Sequence, residues 1–303
     1  AYAGEMNRLE SMTPLEIWSN RIDLAAAIEG FSDRNVRSRA KTLLADRLES
    51  ASNHFGLVAD DRGAPSLRER PPLVVRLPRH EDTIRQAFAR YVATQPPERS
   101  ILLDRYRLRD IVFKVVGVGS VGTFCAIGLF ATADGETLLL QIKEAQCSVM
   151  APFAGEAPFH NQGERVVVGQ RIMQAASDAF LGWTHSPEDG ADPRTHTQTL
   201  SGAGRQFYVR RVKDARLAAI GADVAQEGLA DYALLCGRTL ARAHARSGDV
   251  AIIGGYVGNG KAFCDAIGSF SMLYADQTRT DWNHFRDAIK AGRLAAVTPK
   301  QAG

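Results

Sequence analysis

No apolar run in this sequence reaches the length needed to span a bilayer, and its first residues carry no signal-peptide pattern. Both features argue against a membrane partner. Cysteine is scarce. Cys125, Cys147, Cys236 and Cys264 are the only four, none lies in a C-x-x-C pair, and none sits near a histidine at zinc spacing. That excludes a disulfide framework and a zinc knuckle, and predicts reduced, mostly buried thiols in a cytoplasmic protein. Charge of one sign is also lacking. The net charge is +3, and the arginines are scattered, the densest groups being Arg34, Arg37, Arg39 and Arg68, Arg70. They read as solvated faces and give no case for a nucleic-acid partner. Internal repeats are absent. The chain opens Ala1-Tyr2 without a methionine, in what reads as mid-helix, so a fragment lacking its natural start is expected. Apolar content of 45% and charged content of 23% are ordinary for a globular protein, and 303 residues suggest about two domains.

One stretch carries a chemical mechanism. Gly117, Gly119 and Gly122 form a G-x-G-x-x-G after a β-branched and aromatic segment, Ile111 to Val116. A dinucleotide-binding fold would need a helix next, and an acid about 20 residues on. Instead Thr123 to Ala131 reads as a strand, Asp134-Gly135 as a hairpin turn, and Thr137 to Ala145 as a third strand carrying Lys143. Strand, glycine loop, strand, turn, strand with a lysine is the order of a protein-kinase nucleotide lobe. The chemistry is direct. Glycines let backbone N–H donors approach phosphate oxygens, and a lysine supplies a mobile point charge. The alternative is a glycine-rich turn in an ordinary antiparallel sheet, with Lys143 solvated.

The flanks read as helical. Thr13-Pro14-Leu15-Glu16 is a capping box, followed by Leu15, Trp18, Ile22 and Ala25 at helical spacing, with Trp18 read as a core anchor. Asp33 is expected to cap a second helix with Val36, Ala40, Leu43, Leu44 and Leu48 on its buried face. Asp60 to Pro78 reads as a breaker-rich loop with a short extended piece at Leu73 to Leu77. Glu81 to Thr94 reads as a helix that Pro96-Pro97 ends. A helix opening at Asn161 or Gln162 offers Glu164 as the acid to pair with Lys143, with Gln170 as a neutral competitor. Ala179 to Trp183 and Arg205 to Val212 are the fourth and fifth strands, leading to a hinge at Arg210 to Asp214. Leu229 to Arg246 is a helix with Tyr232, Leu235, Cys236, Thr239, Leu240 and Ala243 as its stripe and His244 beside it, read as a structural histidine. Gly254, Gly255, Gly258 and Gly260 read as a loose connection. Gly260-Lys261 lacks the hydroxyl residue of a Walker loop, since Ala262 follows. Phe263 to Arg293 is helical again.

Several of these segments resemble a bacterial family named domain of unknown function 2252. They are DIVFKVVGVGSVGT (Asp110 to Thr123), LLLQIKEA (Leu138 to Ala145), ERVVVGQRIMQAASDAFLGWT (Glu164 to Thr184), FYVRRVKD (Phe207 to Asp214), LARAHARSGD (Leu240 to Asp249) and YADQT (Tyr274 to Thr278). That family is similar to the protein-kinase and aminoglycoside-phosphotransferase superfamily. The resemblance implies a circularly permuted arrangement, in which Gly-Asp-Ala-His-like and Asn-Asp-Phe-Asp-like segments precede the glycine loop. This sequence contains neither. The resemblance therefore carries over Gly117, Gly119, Ser120, Gly122, Lys143 and Glu164 as nucleotide-binding positions, with ATP and Mg2+ as cofactors. It brings no catalytic residue and no metal ligand.

The resulting expectation is an α+β chain. Residues 105–215 form a kinase-like antiparallel five-stranded nucleotide lobe with one packed helix, flanked by helical regions 1–104 and 216–303. The leading function is the nucleotide-binding part of a kinase-like phosphotransferase whose acceptor is a small molecule or a protein. The others are a non-catalytic kinase-like binding module and a dinucleotide-dependent oxidoreductase, the last opposed by the hairpin after Gly122.

Overall fold

The structure is a computed structural model and describes residues 1–52, 56–61, 64–116, 122–155, 157–186, 204–212 and 228–296. In chain order the elements are α1 (Tyr2–Glu10), α2 (Pro14–Ser19), α3 (Leu24–Glu29), α4 (Arg34–Ser52), β1 (Val58–Asp61), β2 (Ala64–Leu67), β3 (Val74–Val75), α5 (Pro78–Ala93), α6 (Pro97–Leu103), β4 (Arg107–Lys114), β5 (Cys125–Ala131), β6 (Thr137–Glu144), α7 (Ala151–Ala154), α8 (Gln162–Met173), β7 (Gly182–His185), β8 (Gln206–Arg211), α9 (Leu229–Ser247), α10 (Val250–Val257) and α11 (Lys261–Lys290). The chain divides into two compact units, residues 24–228 and residues 1–23 with 229–303. Among the described residues, no helix is long and apolar enough to cross a membrane.

Residues 24–228 are built on a six-stranded antiparallel sheet in the order β3-β4-β5-β6-β8-β7. The five strands expected between Arg107 and Val212 are all present, and β3 adds a sixth at the edge. Period-2 alternation splits the sheet residues between two cores. Ile111, Phe113, Ala126, Phe130, Leu138, Leu140, Ile142, Phe207 and Val209 face α5, whose Ile84, Ala87, Phe88 and Tyr91 are buried at helical spacing. Val112, Ile127, Leu129 and Leu139 face the other way, against Leu57 and Leu67 of the β1–β2 segment.

Two elements of this unit differ from the sequence reading. Asp60 to Pro78 was expected to be a loop, yet it contains the β1–β2 hairpin, with Asp60 opposite Pro65. Each strand of a two-stranded sheet has a free edge, so proline's missing N–H costs nothing there. Pro97 does not merely end α5. It stands at the first position of α6, where its missing N–H would have no intrahelical partner anyway.

Residues 1–23 and 229–303 form a helical unit. Thr13 and Glu16 close the expected capping box at the start of α2. The helix stops at Ser19, so Ile22 and Ala25 do not extend its stripe. Only Ile17 is buried, and Trp18 is 52% exposed rather than a core anchor, with the Arg246 guanidinium 4.0 Å from its ring centroid. On α9 the buried positions are Ala241 and Ala245, while Cys236 and Leu240 are exposed. Small residues let α1 come close, and Met6 and Leu9 are fully buried in that cluster. A Cβ on Gly237, one turn earlier, would stand 3.1 Å from Ala1. Glu5 of α1 accepts from Arg8 and Arg242, and His244 shares a 2.8 Å hydrogen bond with the Tyr2 hydroxyl. The glycines after Asp249 are not a loose connection. They lie in and just after α10, whose first turn Asp249 caps by accepting from the Ile252 N–H at 3.0 Å.

Candidate functional site

The β5–β6 hairpin turns at Asp134-Gly135, where Gly135 has φ of +91°. Lys114 at the end of β4 and Cys125 at the start of β5 lie at the opposite end of the sheet from that turn. Lys143 near the end of β6 shares that end of the sheet, opposite Cys125. Of the glycine-loop residues, Gly117, Gly119 and Ser120 lie outside the described residues. Gly122 is described, and its φ of +85° is a conformation that glycine adopts without steric cost.

Register fixes what surrounds Lys143. Cys125 pairs with Lys143, Lys143 with Tyr208, and Tyr208 with Trp183. Residues directly opposite in antiparallel strands share a face, so these four form one cross-strand row. Lys114, one residue past the Phe113–Ala126 pair, continues the row on β4. The next row on the same face holds Ile127, Gln141 and Arg210. Gln141 Nε2 lies 3.2 Å from Cys125 Sγ, and both residues are buried. Burial pushes the Cys125 thiol up to about 11, while the positive charges of Lys143, Lys114 and Arg210 pull the other way. Arg210 Nε is buried without a hydrogen-bond partner among the described residues.

The residue after Lys143 faces the other way and has a separate task. Glu144 Oε2 accepts the backbone N–H of Phe124 at 2.8 Å and the Arg205 guanidinium at 2.6 Å. The Glu144 N–H in turn donates to the Phe124 carbonyl at 2.9 Å. Arg205 also lies 5.7 Å from the centroid of the Phe124 ring, which packs edge-on against Phe113. This clasp grips the chain two residues downstream of Gly122.

Helix α8 is where a helix was expected. Asn161 caps it, accepting from the N–H groups of Gly163 at 2.7 Å and Glu164 at 3.2 Å. Gln206 of β8 takes the Gln162 N–H at 2.6 Å. Gly163 lies flush on the strand, since a Cβ there would stand 2.0 Å from the Phe207 carbonyl oxygen. Glu164 follows in the first turn, half-buried. No ion pair joins it to Lys143 among the described residues. Gln170 is half-buried on the same helix. Of the expected hinge, Arg210 to Val212 is described, and the Val212 N–H donates to the Leu139 carbonyl at 3.0 Å. Residues 213 and 214 lie outside the described residues.

Sequence reasoning named Lys143 and placed a helix where α8 stands, read Arg210 as part of a hinge, and did not pick out Lys114 or the Glu144–Arg205 clasp. Lys114 had a signal, being a lysine at the end of a strand that leads into glycines. Among the described residues, no group of three or more His, Cys, Asp or Glu side chains is placed to hold a metal ion. No curated protein and no solved structure matches the chain. A family model does match it, across residues 1–288, and the chain belongs to that family, described as an uncharacterized protein conserved in bacteria (DUF2252).

Proposed function

We propose that residues 105–215 are the nucleotide-binding part of a kinase-like phosphotransferase, with ATP as the nucleotide and a small molecule or a protein as the acceptor. The observation that carries this reading is the cross-strand row that sets Lys143 beside Cys125, where β5 leaves the glycine stretch. In a nucleotide lobe a lysine at that strand position meets the phosphates of the ligand. The order of elements supports the same reading, with two hairpin-connected strand pairs, helix α8, an edge strand and then a strand inserted beside β6. The strand after Gly122 runs antiparallel to both of its neighbours, which deprives the dinucleotide reading of its helix. Glu164 is the acid assigned to steer Lys143 once nucleotide is bound. Magnesium in such sites is held by one or two carboxylates and the substrate phosphates. The described residues do not assemble that donor set. A non-catalytic binding module is the second reading, favoured by the lack of any Asp-Phe-Gly-like segment and by the position of the one His-x-Asp, His80-Glu81-Asp82, inside helix α5. The test is calorimetric titration with ATP. A charge-assisted contact to phosphate is worth roughly 1.5–3 kcal/mol, so Lys143→Ala should weaken binding about ten- to a hundredfold. Equal affinity in both proteins would refute the role.

A further inference from the structure

We propose that α11 pairs antiparallel with α11 of a second copy of this chain, through one apolar stripe centred on Asp276. Among the described residues, this 30-residue helix buries none of its own. Its stripe runs from Phe263 to Ile289 in steps of 4, 3, 4, 4, 4, 3 and 4 residues. Steps of three and four keep side chains on one helical face. The steps read the same from either end. Phe263 and Ile289 stand equally far from Asp276, as do Ile267 and Phe285, Phe270 and Trp282, and Tyr274 and Thr278. That mirror is what a two-fold contact requires, because residue i of one copy meets j of the other while j meets i. The pairing sets Phe270 on Trp282 of the second copy and Ile267 on Phe285 of the second copy, twice each. A parallel pair, or an unrelated partner, needs no such mirror.

The surface is large enough for a stable pair. Phe270, Tyr274, Trp282 and Phe285 are 54–60% exposed. An aromatic side chain carries about 150–250 Å², so these four leave about 450 Å² uncovered in each copy. A patch of that size on a soluble protein marks an interaction site. Two copies, with Ile267 and the edges of the stripe, bury about 1,000–1,200 Å², which reaches the size of a specific interface. Charge does not oppose the contact. At about 100° per residue, Asp265, Asp276, Arg279 and Asp287 lie off the stripe. Asp281 borders it and accepts from the Gln277 amide at 2.8 Å. Where Lys261 of one copy approaches Lys290 of the other, each ammonium is already paired along its own helix. Lys261 meets Asp265 at 2.8 Å, and Lys290 meets Asp287 at 3.7 Å.

The experiment is sedimentation velocity on the full chain and on two variants. The parent should sediment as a dimer at about 100 μM. Phe270→Glu sets a carboxylate against an indole twice per dimer, and should weaken association about a hundredfold or more. Met272→Glu alters a residue that is 71% exposed on the opposite face, and should leave association within about twofold. A monomeric parent, a dimer that survives Phe270→Glu, or an equal loss in both variants overturns the proposal. A second measurement needs no variant. Lys261 and Lys290 of one copy stand about 44 Å apart along the helix, beyond a short amine-to-amine crosslinker. In the antiparallel pair, Lys261 of one copy meets Lys290 of the other. A mixture of isotope-labelled and unlabelled protein should therefore yield a Lys261–Lys290 crosslink joining labelled to unlabelled chains. A Lys261–Lys261 crosslink in its place, or no crosslink between copies, overturns the pairing.

Discussion

Glu144 and Arg205 meet as an ion pair with Nη1 2.6 Å from Oε2, and both side chains are nearly withdrawn from solvent, at 11% and 12% exposure. The same carboxylate oxygen takes the Phe124 N–H. One residue earlier, Lys143 faces the other side of the sheet. Alternation along β6 thus gives adjacent residues two jobs, one facing the proposed ligand and one fastening the strand that leaves the glycine stretch.

Removing the Glu144 charge takes the carboxylate away from a nearly buried guanidinium and weakens the acceptor of the Phe124 N–H. Glu144→Gln should destabilise the protein by about 3 kcal/mol, measured by urea denaturation. A loss below about 0.5 kcal/mol would place the pair among exposed ion pairs that contribute little.

Stability should also depend on pH through Glu5. The Arg8 guanidinium, with help from Arg242, outweighs burial and holds the Glu5 carboxyl below the usual glutamate range. A depressed pKa means the stabilisation is complete above the ordinary value of about 4.3 and is lost as pH falls through the folded-state value. Glu5→Gln should therefore cost about 2 kcal/mol at neutral pH. The gap between the two melting temperatures should close as the pH is lowered past the carboxylate range. A gap that stays constant down to strong acid would show that Glu5 acts through packing alone.

Asp249 follows a helix as a kinase catalytic loop does, but here it caps α10. Asp249→Ala should cost about 1 kcal/mol of stability, and Asp249→Asn much less, because asparagine caps as well as aspartate. Neither should alter ATP affinity. Magnesium-dependent ATP turnover abolished by Asp249→Asn would overturn the capping role.

Cys125 has a checkable environment. The thiol is 5% exposed and its pKa is pushed up to about 11, whereas Cys147, Cys236 and Cys264 are exposed, against the expectation that most of the thiols are buried. Thiolate is the reactive form. Iodoacetamide at pH 8 should label those three and spare Cys125 until the protein is unfolded, as read by peptide mass spectrometry. Labelling of Cys125 at the rate of the others would contradict the burial on which its cross-strand row depends.

Local chemistry was legible in the sequence, whereas long-range pairing was not. The Asp134-Gly135 turn announced the β5–β6 hairpin, the Thr13–Glu16 box announced α2, and Asp33 does cap α4, accepting from the Asn35 and Val36 N–H groups. Each of those signals acts within a few residues. The β1–β2 hairpin was hidden by Pro65, a breaker only when its N–H is needed. Helix α10 was hidden by glycines whose helical state depends on the Asp249 cap and on burial of Gly254 and Val257. On α9 the large apolar stripe was more conspicuous than the small Ala241 and Ala245 that are buried. In the candidate site, Lys143 could be read from its distance to the glycines. Its neighbours could not, because Tyr208 and the adjacent Arg210 reach this face through a pairing more than sixty residues away along the chain.

The most direct test of the central claim is to ask which lysine meets the phosphates. An acyl-phosphate derivative of ATP transfers its acyl group to an amine lying against the phosphate chain. Treated with that reagent, the protein should carry the acyl group on Lys143, and excess ATP should suppress the labelling. Acylation spread over exposed lysines such as Lys261, unchanged by ATP and absent from Lys143, would contradict the nucleotide-binding account.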